Sequence, residues 1–278
     1  MSRLAGRIGT TRRSEIGRSR QRFWLTQTGI LLGAIVIYFG VRTLTEGSPS
    51  AAARNAARIT DVEQRLGIRV ESAMQGWVVD QDGLSKLANW IYIWGHWPVI
   101  IAVLAWLVIR LPDRYIVYRN AMLISGLVGV VIFAAFPVAP PRLLDTGMID
   151  TVTQQSHAYR VLQPPSLVNQ FAAMPSFHAG WDLLMGIALV REGRRIWVRV
   201  AGCLLPIAMD LSVVVTANHY LLDVVVGMTI VVGALVAALW LEERRGRRHL
   251  VLTSREPYPH PVTEPALPVT SRVQKRAS

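Results

Sequence analysis

The chain has 278 residues, of which 51% are hydrophobic and 17% are charged, and its mean hydropathy is +0.33. Soluble domains carry about 25% charged residues, so this composition argues against a soluble enzyme and against a disordered protein. The single cysteine, Cys203, argues against a disulfide-stabilised module. The net charge of +12 would suit a nucleic-acid-binding protein, but the basic residues are distributed as in membrane proteins, and no nucleic-acid partner is expected.

Long apolar segments predict an all-α, polytopic membrane helix bundle with about six transmembrane helices, because ~20 apolar residues suffice to span a bilayer as a helix. A basic tail, residues 1–23, precedes the first span, residues 24–44. An amphipathic segment, residues 45–86, separates this span from the transmembrane core, residues 87–241. Residues 242–278 form a basic, Pro-rich tail that we expect to be disordered. The predicted spans are Trp24–Leu44, Leu87–Ile109, Ala121–Val138, Phe171–Val190, Ile196–Thr216 and Tyr220–Leu241.

The positions of the basic residues predict the orientation in the membrane. Twenty-two of the 30 Lys and Arg residues lie in the two tails and in the loops 110–120 and 191–199. Cytoplasmic loops retain positive charge, so both termini are expected in the cytoplasm. The basic, Pro-tailed composition hints at a bacterial plasma membrane, whose outer face is periplasmic.

Two features precede the core. The first span also resembles a signal peptide, with small residues at Ser50–Ala53 as a cleavage region, and cleavage would leave five spans. The segment 45–86 has apolar residues at helical spacing with charges between them, which predicts an amphipathic helix on the outer surface. The face of this helix is formed by Ile59, Leu66, Val70, Ala73 and Trp77.

Polar and ionisable residues within or beside spans are costly and usually functional. Here they gather in three clusters, at residues 136–142, 174–178 and 218–223. In the predicted topology all three clusters lie at the outer face. They are therefore expected to form one site, although they are far apart in the sequence.

The residue types in these clusters suit phosphoryl transfer. His219 and Asp223 are four residues apart and share a helix face, so the carboxylate can bind one imidazole nitrogen and leave the other basic. His178 can donate a proton to a leaving group. Arg142 and Ser176, together with backbone amides at a helix start, suit the oxygens of a phosphate. This chemistry needs no metal cage.

The same residues resemble the motifs of the type 2 phosphatidate phosphatase superfamily over about residues 87–241. Ser176 and His178 lie in a P-S-x-H motif, and His219 and Asp223 form an H-x3-D motif. The proline pair before Arg142, and Tyr220 after His219, are most similar to the branch that contains inositol phosphorylceramide synthase. Three motifs in the expected order make this resemblance specific.

The resemblance implies a role for each matched position. His219 is the expected nucleophile, forming a phosphohistidine, with Asp223 orienting it. His178 is expected to protonate the leaving oxygen, and Arg142 and Ser176 to hold the phosphate. No metal and no other cofactor is implied.

Three positions depart from the phosphatase motifs. Ala135 stands where a lysine precedes the arginine by seven residues, Leu143 replaces a proline, and Val213 replaces the arginine that follows the motif's serine, Ser212. Two phosphate-binding cations are therefore absent. These departures favour the transferase branch over simple phosphatases without deciding between them.

Further polar residues are candidates for the substrate pocket. Asn218 and Tyr220 adjoin the expected nucleophile. Asp182 lies four residues after His178, and it either shares that face or makes a polar contact between helices. His96 either lines a headgroup pocket or bonds across helices. The small residues Gly180 and Gly186 are expected to permit close helix packing.

These observations predict an integral-membrane lipid-phosphate phosphatase or phosphotransferase that acts on the outer face. Its partners would be a lipid phosphate and, for transfer, a polyol or lipid alcohol as acceptor. The alternatives are a non-catalytic carrier or flippase-like protein that binds anionic lipid headgroups, and a catalytically inactive scaffold. The sequence does not select the lipid, the acceptor or the oligomeric state.

Overall fold

The computed structural model describes residues 21–30, 32–34, 36–37, 48–155 and 169–253, and in this part of the chain the regular structure is helical. The all-α prediction is therefore confirmed. A single parallel β-bridge, between Val138 and Ala172, joins two of the described loops. Residues 21–37 are helical wherever they are described. From residue 49 onward the helices are α1 Pro49–Leu66, α2 Glu71–Val79, α3 Asp82–Trp94, α4 Trp97–Arg110, α5 Pro112–Ala135, α6 Thr151–Gln155, α7 Phe177–Glu192, α8 Ile196–Val215 and α9 Leu221–Thr253.

Three of the described helices are long and apolar enough to cross a membrane: α5, α8 and residues Leu221–Arg245 of α9. A fourth span is formed if α3 and α4, which meet at an angle of 44°, cross together. The described residues thus contain three or four such spans, and the total of about six stays a prediction. Residues 31, 35 and 38–44 of the first predicted span lie outside the described residues.

The predicted second span is broken rather than continuous. α3 ends at Trp94, and Gly95 and His96 separate it from α4. Pro98 follows in the first turn of α4, where its ring lacks an N–H and cannot continue the hydrogen bonds of α3. The bend places the polar side chain of His96 between the two helices, near the middle of the predicted span.

Other predicted boundaries also differ from the structure. The third predicted span, with most of the predicted loop 110–120 before it, corresponds to α5, which begins at Pro112 and ends at Ala135. The fourth predicted span starts at Phe171, but α7 begins only at Phe177 and has 16 residues, since Ser176 caps it there. The last helix, α9, continues to Thr253, so the predicted tail starts as a helix. The prolines of that tail begin at Pro257, outside the described residues.

The chain divides into a main unit that ends at Leu239 and a second unit that begins at Trp240. In the main unit α7 packs closely on two neighbours. A Cβ atom at Gly186 would lie 2.4 Å from the carbonyl oxygen of Gly202 on α8, and one at Gly180 would lie 2.8 Å from that of Gly227 on α9. The expected role of Gly180 and Gly186 in close packing is confirmed. In the second unit the guanidinium of Arg244 lies 3.6 Å from the ring centroid of Trp240.

The spans expose large apolar side chains on their outward surfaces. On α8 these are Leu204, Ile207 and Leu211, and on α9 they include Val225, Val232 and Val236. Exposed apolar surface of this extent is unfavourable in water and is stable against lipid. Together with the span lengths, it identifies an integral membrane protein.

The segment before the core folds into two helices instead of one. α1 ends at Gly67, whose φ of +69° places it in the left-handed region that terminates helices. The chain changes direction there, so no single apolar face runs through both helices. Of the predicted face, Ile59 is buried, whereas Leu66, Val70, Ala73 and Trp77 are exposed. The buried residues of α1 are Ala52, Asn55, Ala56, Ile59 and Glu63.

Candidate active site

The three polar clusters meet at one end of the bundle, where α5 and α8 end and α7 and α9 begin. Backbone hydrogen bonds join them directly. Arg142 N–H donates to the carbonyl oxygen of Ala217 at 3.0 Å, and Ser176 N–H donates to that of Asp223 at 3.0 Å. The antiparallel order of the helices therefore brings together residues that lie far apart in the sequence.

A tight turn between α8 and α9 positions His219. The backbone N–H groups of Asn218 and His219 both donate to the carbonyl oxygen of Val213, each at 3.1 Å. Ala217 has a φ of +58°, a left-handed conformation that is costly for a residue with a Cβ atom. Such backbone strain is common where a functional side chain must be held in one place.

The imidazole of His219 has a defined hydrogen-bond partner. Its Nδ1 atom lies 2.8 Å from the carbonyl oxygen of Ala173. A carbonyl can only accept, so Nδ1 carries the proton and Nε2 keeps its lone pair. The nearest oxygen of Asp223, Oδ2, lies 3.6 Å from Nδ1, beyond hydrogen-bond distance, and instead accepts the backbone N–H of Tyr220 at 2.9 Å. Asp223 is thus placed to act on His219 by its charge.

His178 occupies the second position of α7, beside His219. The centroids of the two rings are 5.8 Å apart. The ring of His178 also contacts that of Tyr92, at 4.6 Å in a stacked arrangement, and that of His96, at 4.3 Å. Two rings from α3 and the α3–α4 break therefore hold His178 in place.

His96 and Asp182 form a buried pair next to His178. His96 Nδ1 lies 3.1 Å from Asp182 Oδ1, and both side chains are almost completely buried. Asp182 is four residues after His178 on α7. This helix therefore carries both His178 and the carboxylate that binds His96. The second carboxylate oxygen of Asp182 and Oδ1 of Asp210 have no hydrogen-bond partner among the described residues.

Ser176 caps α7 and is wholly buried. Its hydroxyl accepts the N–H of Ala179 at 3.4 Å, which satisfies one of the free amides of the first turn. α9 approaches so closely that a Cβ atom at Gly227 would lie 2.1 Å from the carbonyl oxygen of Ser176. The start of α7 is therefore locked against α9.

Arg142 lies in a short 3₁₀ turn after Pro140 and Pro141. Its Nε donates to Asn218 Oδ1 at 2.8 Å, and its Nη1 lies 3.3 Å from Asp150 Oδ2. Asn218 is thus an anchor for Arg142 beside His219. Within the described part of the chain Nη2 has no hydrogen-bond partner, so it can donate to a ligand.

Tyr220 points away from the histidines. Its hydroxyl donates to the carbonyl oxygen of Ala139 at 3.2 Å, and its ring packs against α1, in a cluster with Ala52, Ala56 and Ile59. The sequence made Tyr220 a candidate for the substrate pocket because it adjoins His219. In the structure this side chain joins the turn to α1.

Sequence reasoning missed four residues of this region: Tyr92, Asp150, Glu63 and Glu71. Glu63 and Glu71 accept the backbone N–H groups of Leu222 and Leu221, at 2.7 and 2.9 Å. A signal for Glu63 was available, because it lies four residues after Ile59 on the buried face of α1, where a charged residue is unusual. No comparable pattern distinguishes Asp150 or Tyr92.

In the described residues no group of three or more His, Cys, Asp or Glu side chains is arranged to hold a metal ion. The groups that meet at the site are His178, His219 and His96 with carboxylates nearby, an arginine and a capped helix start. This is an integral-membrane helical protein with a cluster of buried polar residues at one end of its bundle. The chain matches the family model described as PAP2 superfamily over residues 57–237.

The match covers well over half of the chain, and this protein belongs to the PAP2 superfamily. Members are phosphatases and phosphotransferases, so the chain has a function of the lipid phosphatase or phosphotransferase type. The matched region starts 30 residues before the predicted one and includes Glu63 and Glu71. Comparisons with the curated proteins and with the solved structures gave no match.

Proposed function

We propose that this protein transfers the phosphoryl group, or a phospho-headgroup, of a membrane lipid phosphate through a covalent intermediate on His219. The observation that carries the proposal is the 2.8 Å contact between His219 Nδ1 and the carbonyl oxygen of Ala173. Because it leaves the Nε2 lone pair free, His219 is a nucleophile beside a second histidine.

The reaction has two steps. Nε2 of His219 attacks phosphorus and forms an N–P bond, while the bond from phosphorus to the leaving oxygen breaks and His178 gives that oxygen a proton. His178, now neutral, then takes a proton from water or an alcohol as its oxygen attacks phosphorus and the N–P bond breaks. Asp223 stabilises the positive charge on the His219 ring in the intermediate.

Arg142 and the start of α7 supply the positive potential for the phosphate. The Nη2 donors of Arg142 bind phosphate oxygens while Asn218 and Asp150 hold the rest of its guanidinium. Ser176 caps α7 by accepting the N–H of Ala179. This cap holds the first turn of α7 in place, and its remaining N–H groups can bind the anion. His96 and Asp182 keep the ring of His178 in position.

The departures from the phosphatase motifs support a transferase related to inositol phosphorylceramide synthase. Val213 is completely buried, so this position supplies an apolar side chain and no cation beneath the turn that carries His219. Ala135 supplies no cation at the end of α5. With fewer cations around the phosphate, the acceptor we propose is a polyol or lipid alcohol, and water is the competing acceptor. The site is proposed to open to the periplasmic face of a bacterial plasma membrane.

The test uses detergent-purified protein and a panel of labelled lipid phosphates in the presence of EDTA, with and without inositol or a lipid alcohol. Label that appears in a new lipid only with acceptor present establishes a transferase, and free phosphate establishes a phosphatase. In either case His219→Ala should abolish turnover while it keeps the fold. A folded wild-type protein that binds these lipids without turnover would overturn the proposal in favour of a carrier.

A further inference from the structure

The first turn of α9 is held by two carboxylates from outside the transmembrane core. Glu63 on α1 accepts the N–H of Leu222 at 2.7 Å, and Glu71 at the start of α2 accepts the N–H of Leu221 at 2.9 Å. First-turn amides have no partner within their own helix and need an acceptor from elsewhere. These two amides follow His219 by two and three residues.

Both glutamates are buried, with Glu63 at 0% and Glu71 at 4% exposure. The second oxygen of Glu63, Oε2, has no hydrogen-bond partner among the described residues. A helix N-terminus stabilises one nearby negative charge. Two buried carboxylates side by side repel each other when both are ionised, and one shared proton removes this repulsion.

The surroundings of Glu63 favour the protonated form. Burial raises the pKa of Glu63 to about 8, and the charges of Glu71 and Asp223 act in the same direction, while the hydrogen bond from Leu222 opposes them. Arg69 and Tyr220 line the same cleft as the two glutamates. The guanidinium of Arg69 donates to Gln64 at 3.3 Å, and burial raises the pKa of Tyr220 above its usual value, so Tyr220 stays neutral.

The turn that these carboxylates hold carries the candidate catalytic groups. Asp223 lies one residue after Leu222, its Oδ2 accepts the N–H of Tyr220, and its carbonyl oxygen accepts the N–H of Ser176. A shift of the first turn of α9 would therefore displace Asp223, His219 and the cap of α7 together. Displacements of about 1 Å at a reacting centre can cost roughly a hundredfold in rate.

We propose that Glu63 and Glu71 are positioning residues of the active site, and that they hold the start of α9 correctly while they share one proton. The inference rests on the proposed function. When the pair loses its proton, the two carboxylates repel each other and Asp223, and the turn at His219 loosens. Turnover is therefore expected to decline as the pH rises through about 8, for a reason that lies outside the histidines.

The experiment compares kcat and KM of wild type, Glu63→Gln and Glu63→Ala from pH 5.5 to pH 9.5 on the best lipid phosphate of the panel. The amide of Glu63→Gln keeps an acceptor for Leu222 and mimics the protonated acid. This variant should keep kcat at neutral pH within about threefold and lose the decline above pH 8. Glu63→Ala should lower kcat about tenfold or more with little change in KM.

The matched control is Asp61→Asn, which removes an exposed carboxylate from the same helix and should leave the whole profile unchanged. Thermal unfolding of each variant identifies any loss of fold, and Glu63→Gln remains informative if Glu63→Ala does not fold. If kcat declined identically at alkaline pH in wild type and Glu63→Gln, the positioning role of Glu63 and Glu71 would be wrong, while the proposed function would stand. A folded wild type without turnover would overturn the proposed function, and the positioning role with it.

Discussion

The Nδ1 atom of His219 lies 2.8 Å from the carbonyl oxygen of Ala173, and this contact determines which ring nitrogen carries the proton. Asp223, the partner expected from the sequence, lies 3.6 Å from Nδ1 and accepts a hydrogen bond from the backbone N–H of Tyr220 instead. Two different groups therefore act on His219: the carbonyl oxygen of Ala173 fixes its tautomer, and the carboxylate of Asp223 stabilises its positive charge. In a Ser-His-Asp triad one carboxylate does both.

This division predicts a limited effect for Asp223→Asn. The tautomer survives because Ala173 still accepts the Nδ1 proton, whereas the stabilisation of the charged ring is lost. We expect kcat to fall by about ten- to a hundredfold, compared with ~10⁴-fold where the tautomer is also lost. Turnover of the labelled lipid and trapping of the phosphorylated protein measure this. A loss as large as that of His219→Ala would show that the Ala173 carbonyl does not hold the ring.

Gly227 on α9 should tolerate no side chain. A Cβ atom there would lie 2.1 Å from the carbonyl oxygen of Ser176, whereas a Cβ atom at Gly233 on the same helix meets nothing within 4 Å. We expect Gly227→Ala to lower the free energy of unfolding by about 1–3 kcal/mol and to reduce kcat. Gly233→Ala should be neutral or stabilise by up to ~1 kcal/mol. Thermal unfolding in detergent compares the two, and equal unfolding temperatures would contradict the close packing.

Arg142→Lys should weaken phosphate binding although it keeps the charge. A lysine cannot donate to Asn218 and Asp150 and still present a planar pair of donors to the phosphate. We expect kcat/KM for the lipid phosphate to fall by roughly ten- to a hundredfold. Arg65→Lys, at an exposed ion pair on α1, is the control and should leave kcat/KM unchanged. If Arg142→Lys had the same kcat/KM as wild type, the guanidinium of Arg142 would not bind the phosphate.

Asp182→Asn tests whether the pair with His96 holds His178. The amide weakens the contact to His96 Nδ1, so the ring beside His178 becomes less restrained. We expect a decrease in kcat of about tenfold with little change in KM, since the pair is proposed to act through His178. Asp210→Asn removes another carboxyl group of the bundle, whose Oδ1 has no hydrogen-bond partner among the described residues. If both variants lowered kcat equally, the effect would come from the loss of a carboxyl group inside the bundle and not from the contact with His96.

Much of the site could be predicted from short-range patterns. His219 and Asp223 are four residues apart at the start of α9, and Ser176 lies two residues before His178 at the start of α7, so their proximity follows from local geometry. The apolar lengths of α5, α8 and α9 likewise predict helices that can cross a bilayer, because span length depends only on composition and rise per residue.

Other relationships required the folded chain. The break between α3 and α4 was missed because apolar composition continues through Gly95 and His96, although Pro98 follows. Leu66, Val70 and Trp77 were assigned to one apolar face of a single amphipathic helix, and Gly67 ends that helix. In both cases the hydrophobic pattern is compatible with two backbone paths, and packing selects one.

The residue types and spacings of the motifs were enough to indicate a membrane protein of helices with a phosphoryl-transfer site, since these depend on neighbours along the chain. The partners of those residues came from elsewhere: Ala173 for His219, Asp150 for Arg142, His96 for Asp182, and Glu63 and Glu71 for the start of α9. Asp150 lies eight residues after Arg142 in the same connecting segment, but each of the other contacts joins separate helices or loops, and only the packing of those elements brings the atoms within hydrogen-bond distance. The chemistry is thus encoded locally, whereas its orientation and protonation depend on the tertiary fold.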